Sequence, residues 1–269
     1  MVRPKKHLGQ HFLRDENIAR KIVGCLNPGI PLTLEIGPGT GVLTKYLLGR
    51  DGIGERPGKP GAWFMEVDTE AAEFLFRTYP EIAGRLIIAD FLRYDLAGFP
   101  PGGREPLPEF TVIGNFPYNI STEILFKVLE NRRRVPEVVG MFQKEVAERI
   151  ASPPGSRTYG ITSVLLQAFY DIEYLFTVSE SVFYPPPKVK SAVIRLLRNG
   201  KESLGCDEKL FTAVVRAAFN QRRKKLGNAL RTLTGSPLLS ELLDKRAEQL
   251  SVEDFVRLTR EITALTFRT

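Results

Sequence analysis

Short apolar runs rich in β-branched residues alternate with helix-length stretches through the first two-thirds of the chain, at residues 32–36, 63–67, 86–89, 110–114 and 138–143. That alternation predicts a parallel sheet with helices on its faces. Between the runs, residues 42–48 and 122–129 carry apolar side chains at helical spacing. Residues 172–178 and 192–197 read as further strands added near the sheet edge. Two Gly/Pro-rich stretches, 50–61 and 99–108, read as surface loops that lengthen ordinary connections. Beyond Arg198 the spacing is helical, with helix starts expected at Ser236-Pro237 and at Ser251 followed by Asp254. The expected domains are therefore 1–198, an α/β domain, and 199–269, a small helical domain.

Composition narrows the picture. The 269 residues are 43% hydrophobic, ample for a packed core. Cys25 and Cys206 lie far apart and form no CxxC, so neither a metal knuckle nor a redox pair is suggested. No apolar run approaches the roughly 18 residues of a membrane span, and the start MVRPKKHLGQHF lacks the apolar core of a signal peptide. The expectation is a cytoplasmic, monomeric protein away from membranes. A net charge of +7 suits a polyanionic partner, as it also suits many proteins with bland surfaces.

The candidate chemistry begins at Leu34-Glu35-Ile36-Gly37-Pro38-Gly39-Thr40-Gly41, a glycine turn between the first long strand and a helix. Glycine lets a ligand approach the backbone, and a helix N-terminus offers free N–H groups. The dinucleotide fingerprint GxGxxG is broken, because Val42 occupies the place of the third glycine. Glu66 and Asp68, at the end of the second strand, can accept from ribose hydroxyls, and Asp90, at the end of the third, from an adenine amino group. Three successive strand ends facing one adenosine-like ligand favour S-adenosylmethionine. The bland reading is a turn with glycines for packing and acids in solvent.

After the fourth strand comes Asn115-Phe116-Pro117-Tyr118-Asn119-Ile120-Ser121. An exocyclic adenine amine is a poor nucleophile, since its lone pair is delocalised into the ring. The Asn115 side-chain oxygen and the Pro117 carbonyl can each accept one of its hydrogens, and Tyr118 can stack on the base. A proline turn with core aromatics is the structural alternative. Phe183 opens a stiff run, Phe183-Tyr184-Pro185-Pro186-Pro187, that can carry an aromatic ring across the pocket mouth, so Phe183 is expected to contact the base; the bland alternative, a rigid connector between strands, is compatible with that. The two histidines, His7 and His11, lie near the N-terminus, and no Ser-His-Asp or metal-ligand grouping is visible. No metal is expected.

These blocks, from KHLGQHFL through EIGPGTGVLT, MEVD, ADF, NFPYNIST and QKEVAERI to VFYPPPKVKSAVIRL and AFNQRRKKLGNAL, span nearly the whole chain. In that order they resemble the ribosomal RNA adenine N6,N6-dimethyltransferases, specifically the small-subunit enzyme of bacteria. The resemblance implies a class I S-adenosylmethionine-dependent methyltransferase, Rossmann-like with a mostly parallel sheet and a small helical C-terminal domain. It implies dimethylation of two adjacent adenosines near the 3′ end of 16S rRNA, within a pre-30S or 30S particle. It further implies that His11, Leu13, Gly37, Glu66, Asp90 and Asn115 contact the cofactor, and that Asn115, Pro117 and Tyr118 hold the target adenine. Two positions depart from the family pattern: His11 stands where GQNFL is usual, and Phe116 where NLPY or NIPY is usual. Imidazole still donates or accepts, and Phe116 stays apolar.

Residues 209–231 carry seven basic side chains and no acid, a cluster able to neutralise phosphates without reading sequence. Arg222, Arg223, Lys224 and Lys225 are its centre, in a helix-compatible stretch whose alternative is a solvated helix face. Arg3, Lys5, Lys6, Arg132, Arg133 and Arg134 are further candidates. Three rival functions remain: a nicotinamide oxidoreductase, against which Val42 and NFPY speak, a ribosome-assembly factor with little turnover, and a large-subunit methyltransferase of the macrolide-resistance type.

Overall fold

The computed structural model describes residues 2–30, 32–49, 61–234 and 240–266. The stretch 50–60 and the helix start at Ser236-Pro237 lie outside the described residues. In chain order the elements are β1 (Phe12–Leu13), α1 (Glu16–Gly24), β2 (Thr33–Ile36), α2 (Thr44–Leu48), β3 (Ala62–Glu66), α3 (Thr69–Thr78), β4 (Leu86–Ile88), β5 (Thr111–Asn115), α4 (Ser121–Glu130), β6 (Glu137–Gln143), α5 (Lys144–Ala151), α6 (Ile161–Gln167), β7 (Tyr170–Val178), β8 (Phe183–Tyr184), β9 (Ser191–Arg198), α7 (Glu208–Asn220), α8 (Leu226–Ala229), α9 (Arg231–Thr234) and α10 (Val252–Thr266).

Among the described residues one sheet runs in the order β4-β3-β2-β5-β6-β9-β7. Its members from β4 to β6 are parallel, and β9 joins antiparallel to β6. The expected strands are all present, the late pair at the edge as anticipated. Because the chain goes outward from β2 to β4 and then returns to β5 on the other flank, the strand order reverses between β2 and β5. A crevice opens at the carboxyl ends there, the place where such sheets bind ligands.

Side-chain caps set several helix starts. Asp15 accepts from the Asn17 and Ile18 N–H groups at 2.8 and 3.0 Å, and Asp207 does the same for α7. Ser251 and Asp254 form the expected reciprocal capping box at 3.0 and 3.1 Å. The core gathers Ile22, Leu47, Phe64, Ile113, Val139 and Met141 from α1, α2 and the sheet. Among the described residues no helix is long and apolar enough to cross a membrane.

The chain divides into two compact units. One holds residues up to Ala147 together with Glu173–Arg198, and the other holds Glu148–Ile172 together with residues from Asn199 onward. The expected boundary after Arg198 thus omits a segment. Residues 148–172 share the helical core, in which α6 and α10 pack on α7 and Phe219 meets the Tyr159 and Phe255 rings at 6.1 and 6.0 Å.

A two-stranded pair, β1 with β8, leaves no trace in the periodicity of the sequence. Two residues per strand form a weak ladder. Leu13 and Phe183, 2% and 4% exposed, anchor it in the core, each burial contributing about 1.5–3 kcal/mol.

Candidate active site

The loop from β2 to α2 is shaped by glycines whose requirements differ. Gly37 and Gly41 both have left-handed backbone, with φ of 65° and 81°, a region strained for residues bearing a Cβ. A Cβ on Gly41 would lie 2.5 Å from the Tyr79 ring, whereas one on Gly37 would meet nothing within 4 Å. Gly41 is held by packing, and Gly37 faces open space. That space is a cavity of about 290 Å³ whose wall includes Gly37, Glu66, Asp90, Asn115, Pro117, Tyr118 and His11. Seven of the residues singled out from sequence are thereby brought to one cavity.

Glu66 ends β3 with only 3% of its surface exposed. Its two carboxylate oxygens accept the Gly39 and Asp68 N–H groups, each at 2.9 Å. Burial pushes this carboxyl above its ordinary value, and the two N–H donors pull it back. Each oxygen keeps lone-pair capacity for a further donor such as a ribose hydroxyl. Asp90 lies on the same wall, its Oδ1 accepting the Leu92 N–H at 2.9 Å.

Asp68 departs from expectation. Its carboxylate takes the Lys5 ammonium, the Gln10 amide at 3.1 Å and the Glu70 N–H at 3.0 Å, and it is absent from the cavity wall. Burial alone would raise its pKa, but the Lys5 and Gln10 bonds outweigh it and hold the carboxyl below its ordinary value. Asp68 ties the N-terminal segment to the start of α3 and offers no second ribose acceptor.

At the end of β5, Asn115 Nδ2 donates to the His11 carbonyl at 2.8 Å. That bond commits the amide nitrogen and leaves Oδ1 as the acceptor for a ligand. The Pro117 carbonyl accepts the Ile120 N–H at 3.2 Å and retains a second lone pair. Tyr118 stacks on the His11 ring, centroids 5.5 Å apart and planes 25° apart, and its hydroxyl bonds Ser191 Oγ at 2.6 Å. Burial pushes the Tyr118 phenol above its ordinary value. His11 Nδ1 lies 2.7 Å from the Pro185 carbonyl, which can only accept, so Nδ1 carries the proton in that bond. His11 therefore orders both Asn115 and Tyr118, a double role that its place in the GQHFL block does not reveal. Phe116 is 1% exposed and packs edge-on to Phe142 at 5.2 Å, filling space that Gly114 and Gly140 leave open.

Other expected residues fall elsewhere. Phe183 is buried in the core beside Leu13, so its ring does not cross the pocket mouth, and Leu13 is absent from the cavity wall. The exposed aromatic of that segment is Tyr184, against which the Arg14 guanidinium stacks at 4.0 Å. In the helical unit, α7 stops at Asn220, and residues 222–225 form a turn instead of continuing the helix. Arg222 donates to the Arg157 carbonyl and lies 3.9 Å from Glu248, while Lys225 pairs with Asp244 at 2.8 Å. Arg223 and Lys224 are exposed. Arg134 spends its guanidinium on the carbonyls of Leu96, Ala97, Phe99 and Pro108, and Lys5 is paired with Asp68, so neither is a spare cation.

Residues 1–264 match the family model for ribosomal RNA adenine dimethylase. A relative from Cytophaga hutchinsonii, named ribosomal RNA small subunit methyltransferase A, is 54% identical over 266 residues, covering 97% of this chain and 98% of its own. A solved dimethyladenosine transferase from Plasmodium falciparum is similar at a TM-score of 0.73 and 24% identity, covering 95% of this chain and 98% of that one. The 23S rRNA methyltransferase ErmE is similar at 0.63 and 22%, covering 94% and 99%. The two structures share the fold, and the family model with the close relative carries the assignment: this chain belongs to the ribosomal RNA adenine dimethylase family.

Proposed function

We propose that this protein dimethylates the N6 atoms of two adjacent adenosines near the 3′ end of 16S rRNA, with S-adenosylmethionine as donor. It acts in the cytoplasm as a monomer on a pre-30S or 30S particle, as a step of small-subunit biogenesis. The observation that carries the reading is the Asn115 amide, whose nitrogen is committed to the His11 carbonyl and whose oxygen is thereby kept for an N–H donor in the cavity.

The residues fit the donor. Gly37 leaves open space where a side chain would stand, and Glu66 and Asp90 place carboxylates on the same wall to hold ribose hydroxyls and an adenine amino group. S-adenosylmethionine, when bound, supplies a methyl group from its sulfonium. In the first transfer Asn115 Oδ1 and the second lone pair of the Pro117 carbonyl each accept one N6 hydrogen, drawing the amine lone pair out of conjugation; in the second the one remaining N6 hydrogen engages one of the two, and each transfer releases one proton to water. Tyr118 holds the adenine by stacking. Its phenol, kept protonated by burial and bonded to Ser191, is placed to orient the ring and not to take a proton. Positioning of this kind supplies a large share of the acceleration in a direct displacement.

Arg222, Arg223, Lys224 and Lys225 of the helical unit supply cations for the RNA backbone, with Arg223 and Lys224 the two that have no carboxylate to displace among the described residues. The small-subunit branch is favoured over a macrolide-resistance type by the 54% identity to a small-subunit enzyme, against 22% to ErmE.

Transfer of labelled methyl groups to unmethylated small subunits, with large subunits in parallel and nucleoside analysis of the product, tests the reading. N6,N6-dimethyladenosine is expected in small-subunit RNA alone. Asn115→Ala is expected to lose at least about a hundredfold in turnover with the fold intact, the scale of a misplaced reacting group. Label confined to large subunits would move the chain to the other branch, and near-normal turnover by the variant would remove the amine-activating role.

A further inference from the structure

A second cavity, of about 520 Å³, adjoins the acceptor cavity and shares Gly9, Gln10, His11 and Tyr118 with it. The stacked His11 and Tyr118 rings line both spaces. Its volume falls within the roughly 300–1,000 Å³ of ligand clefts. The two cavities differ in charge. The acceptor cavity carries Glu66 and Asp90, whereas the second carries Lys6, Lys188 and the Gln143 amide beside a wall of Pro185, Pro186 and Pro187.

These groups stand uncommitted. Lys6 and Lys188 are exposed and have no carboxylate partner among the described residues, and the Gln143 amide has no hydrogen-bond partner among them. Their neighbour Lys5, by contrast, is spent on Asp68. Two unpaired ammonium groups, an amide and a rigid apolar wall together match one nucleotide: phosphate on the lysines, base face on the prolines, base edge on the amide. A glutamine can pair bidentately with the N6 and N7 atoms of adenine.

We infer that this second cavity is the subsite for the nucleotide adjoining the target adenosine, that Lys6 and Lys188 hold its phosphate, and that Gln143 reads its base as adenine. The inference rests on the proposed RNA adenine methylation and deepens it. With one adenosine stacked at Tyr118, its chain neighbour lies across the His11 and Tyr118 rings, and the Gln143 contact serves a neighbour whose N6 still carries a hydrogen.

The test uses the full chain and unmethylated small subunits bearing the native adenosine pair or a guanosine in place of one member. Lys6→Ala with Lys188→Ala is expected to raise KM for the particle about tenfold and to flatten its salt dependence, leaving S-adenosylmethionine affinity within about twofold. The natural chain is expected to methylate the lone adenosine beside guanosine about tenfold more slowly than within the pair. Gln143→Ala is expected to abolish that difference, with its melting temperature checked alongside. Unchanged KM and salt dependence in the double lysine variant, or discrimination retained by Gln143→Ala, overturns the subsite while leaving the proposed function standing. Absence of any transfer to small subunits by the natural chain would instead overturn the proposed function itself.

Discussion

The glycine loop after β2 and the basic turn at residues 222–225 are both short connections ahead of a helix, yet their polar groups are in opposite conditions. In the loop nearly everything is committed inward. The Gly37 N–H donates to the Met65 carbonyl and the Gly39 N–H to Glu66, while Glu35 accepts the Thr44 hydroxyl at 2.7 Å. In the turn, Arg222 and Lys225 have carboxylate partners, whereas Arg223 and Lys224 form no ion pair among the described residues. Exposed pairs are worth only about 0–1 kcal/mol, so a phosphate can displace a surface carboxylate at little cost. A fixed loop suits a small ligand that must be aligned to a fraction of an ångström, and an adjustable cation set suits a large polyanion that need only be held.

The largest effect that would sharpen this contrast comes from the loop itself. Gly41→Ala places a methyl group against Tyr79 in left-handed backbone. Strain of about 1 kcal/mol and overpacking of about 1–3 kcal/mol should add, lowering the melting temperature and destabilising the whole chain. Gly37→Ala carries the backbone strain alone, because its methyl group meets open space. It should keep most of the stability and instead lose S-adenosylmethionine affinity in a calorimetric titration. Equal losses of stability in the two variants would show that the loop is not divided between packing and ligand approach.

A second effect tests whether Glu35, the buried acid of β2 just before the loop, is neutral. Glu35 is 1% exposed, and burial pushes its carboxyl up to about 8, the Thr44 bond working the other way. Its unfolded value is near 4.3. Between those values the folded chain holds a proton that the unfolded chain has released, so the group's contribution makes stability fall as pH rises through that window. Denaturant melts at pH 5, 6.5 and 8 should show a decline that Glu35→Gln flattens, by at most about 1.4 kcal/mol per pH unit. Parallel curves for the two proteins would place the Glu35 proton off the carboxyl throughout.

The same contrast explains what the sequence makes legible. Strands buried on both faces leave unbroken apolar runs, and left-handed turns demand glycine, so β2, β3, β5 and β6 are legible to within a residue at each end, as is the loop between β2 and α2. Asn115, Pro117 and Tyr118 follow directly on a strand end, and strand ends at a reversal of order are where ligands sit. Contacts that join distant segments leave no such period. Asp68 reads as a strand-end acid like Glu66, and only its Lys5 and Gln10 partners, 63 and 58 residues away, remove it from the cavity. Phe183 reads as an exposed aromatic until β8 pairs with β1 and turns its ring into the core. Arg134 counts as a cation in composition, while its guanidinium is occupied by four carbonyls of the neighbouring loop. Residues 148–172 belong to the helical unit through packing that helical spacing alone does not assign.

The smallest expected effect separates cations within the basic turn. Removing one cation from a phosphate lowers the slope of log affinity against log salt by roughly 0.7–0.9. Arg223→Ala with Lys224→Ala should therefore flatten the slope for small-subunit RNA by about 1.5 at unchanged S-adenosylmethionine affinity. Arg222→Ala with Lys225→Ala should change it less, because Glu248 and Asp244 already offset part of that charge. The second pair also carries a structural cost, since Arg222 holds the Arg157 carbonyl, so a melting curve must accompany its binding data. A flatter slope for the first pair at unchanged stability would assign RNA contact to the two unpaired cations. Equal slopes for both pairs would mean that phosphates displace Glu248 and Asp244 on docking, and an unaltered slope in both variants would move the electrostatic contact to another face of the protein.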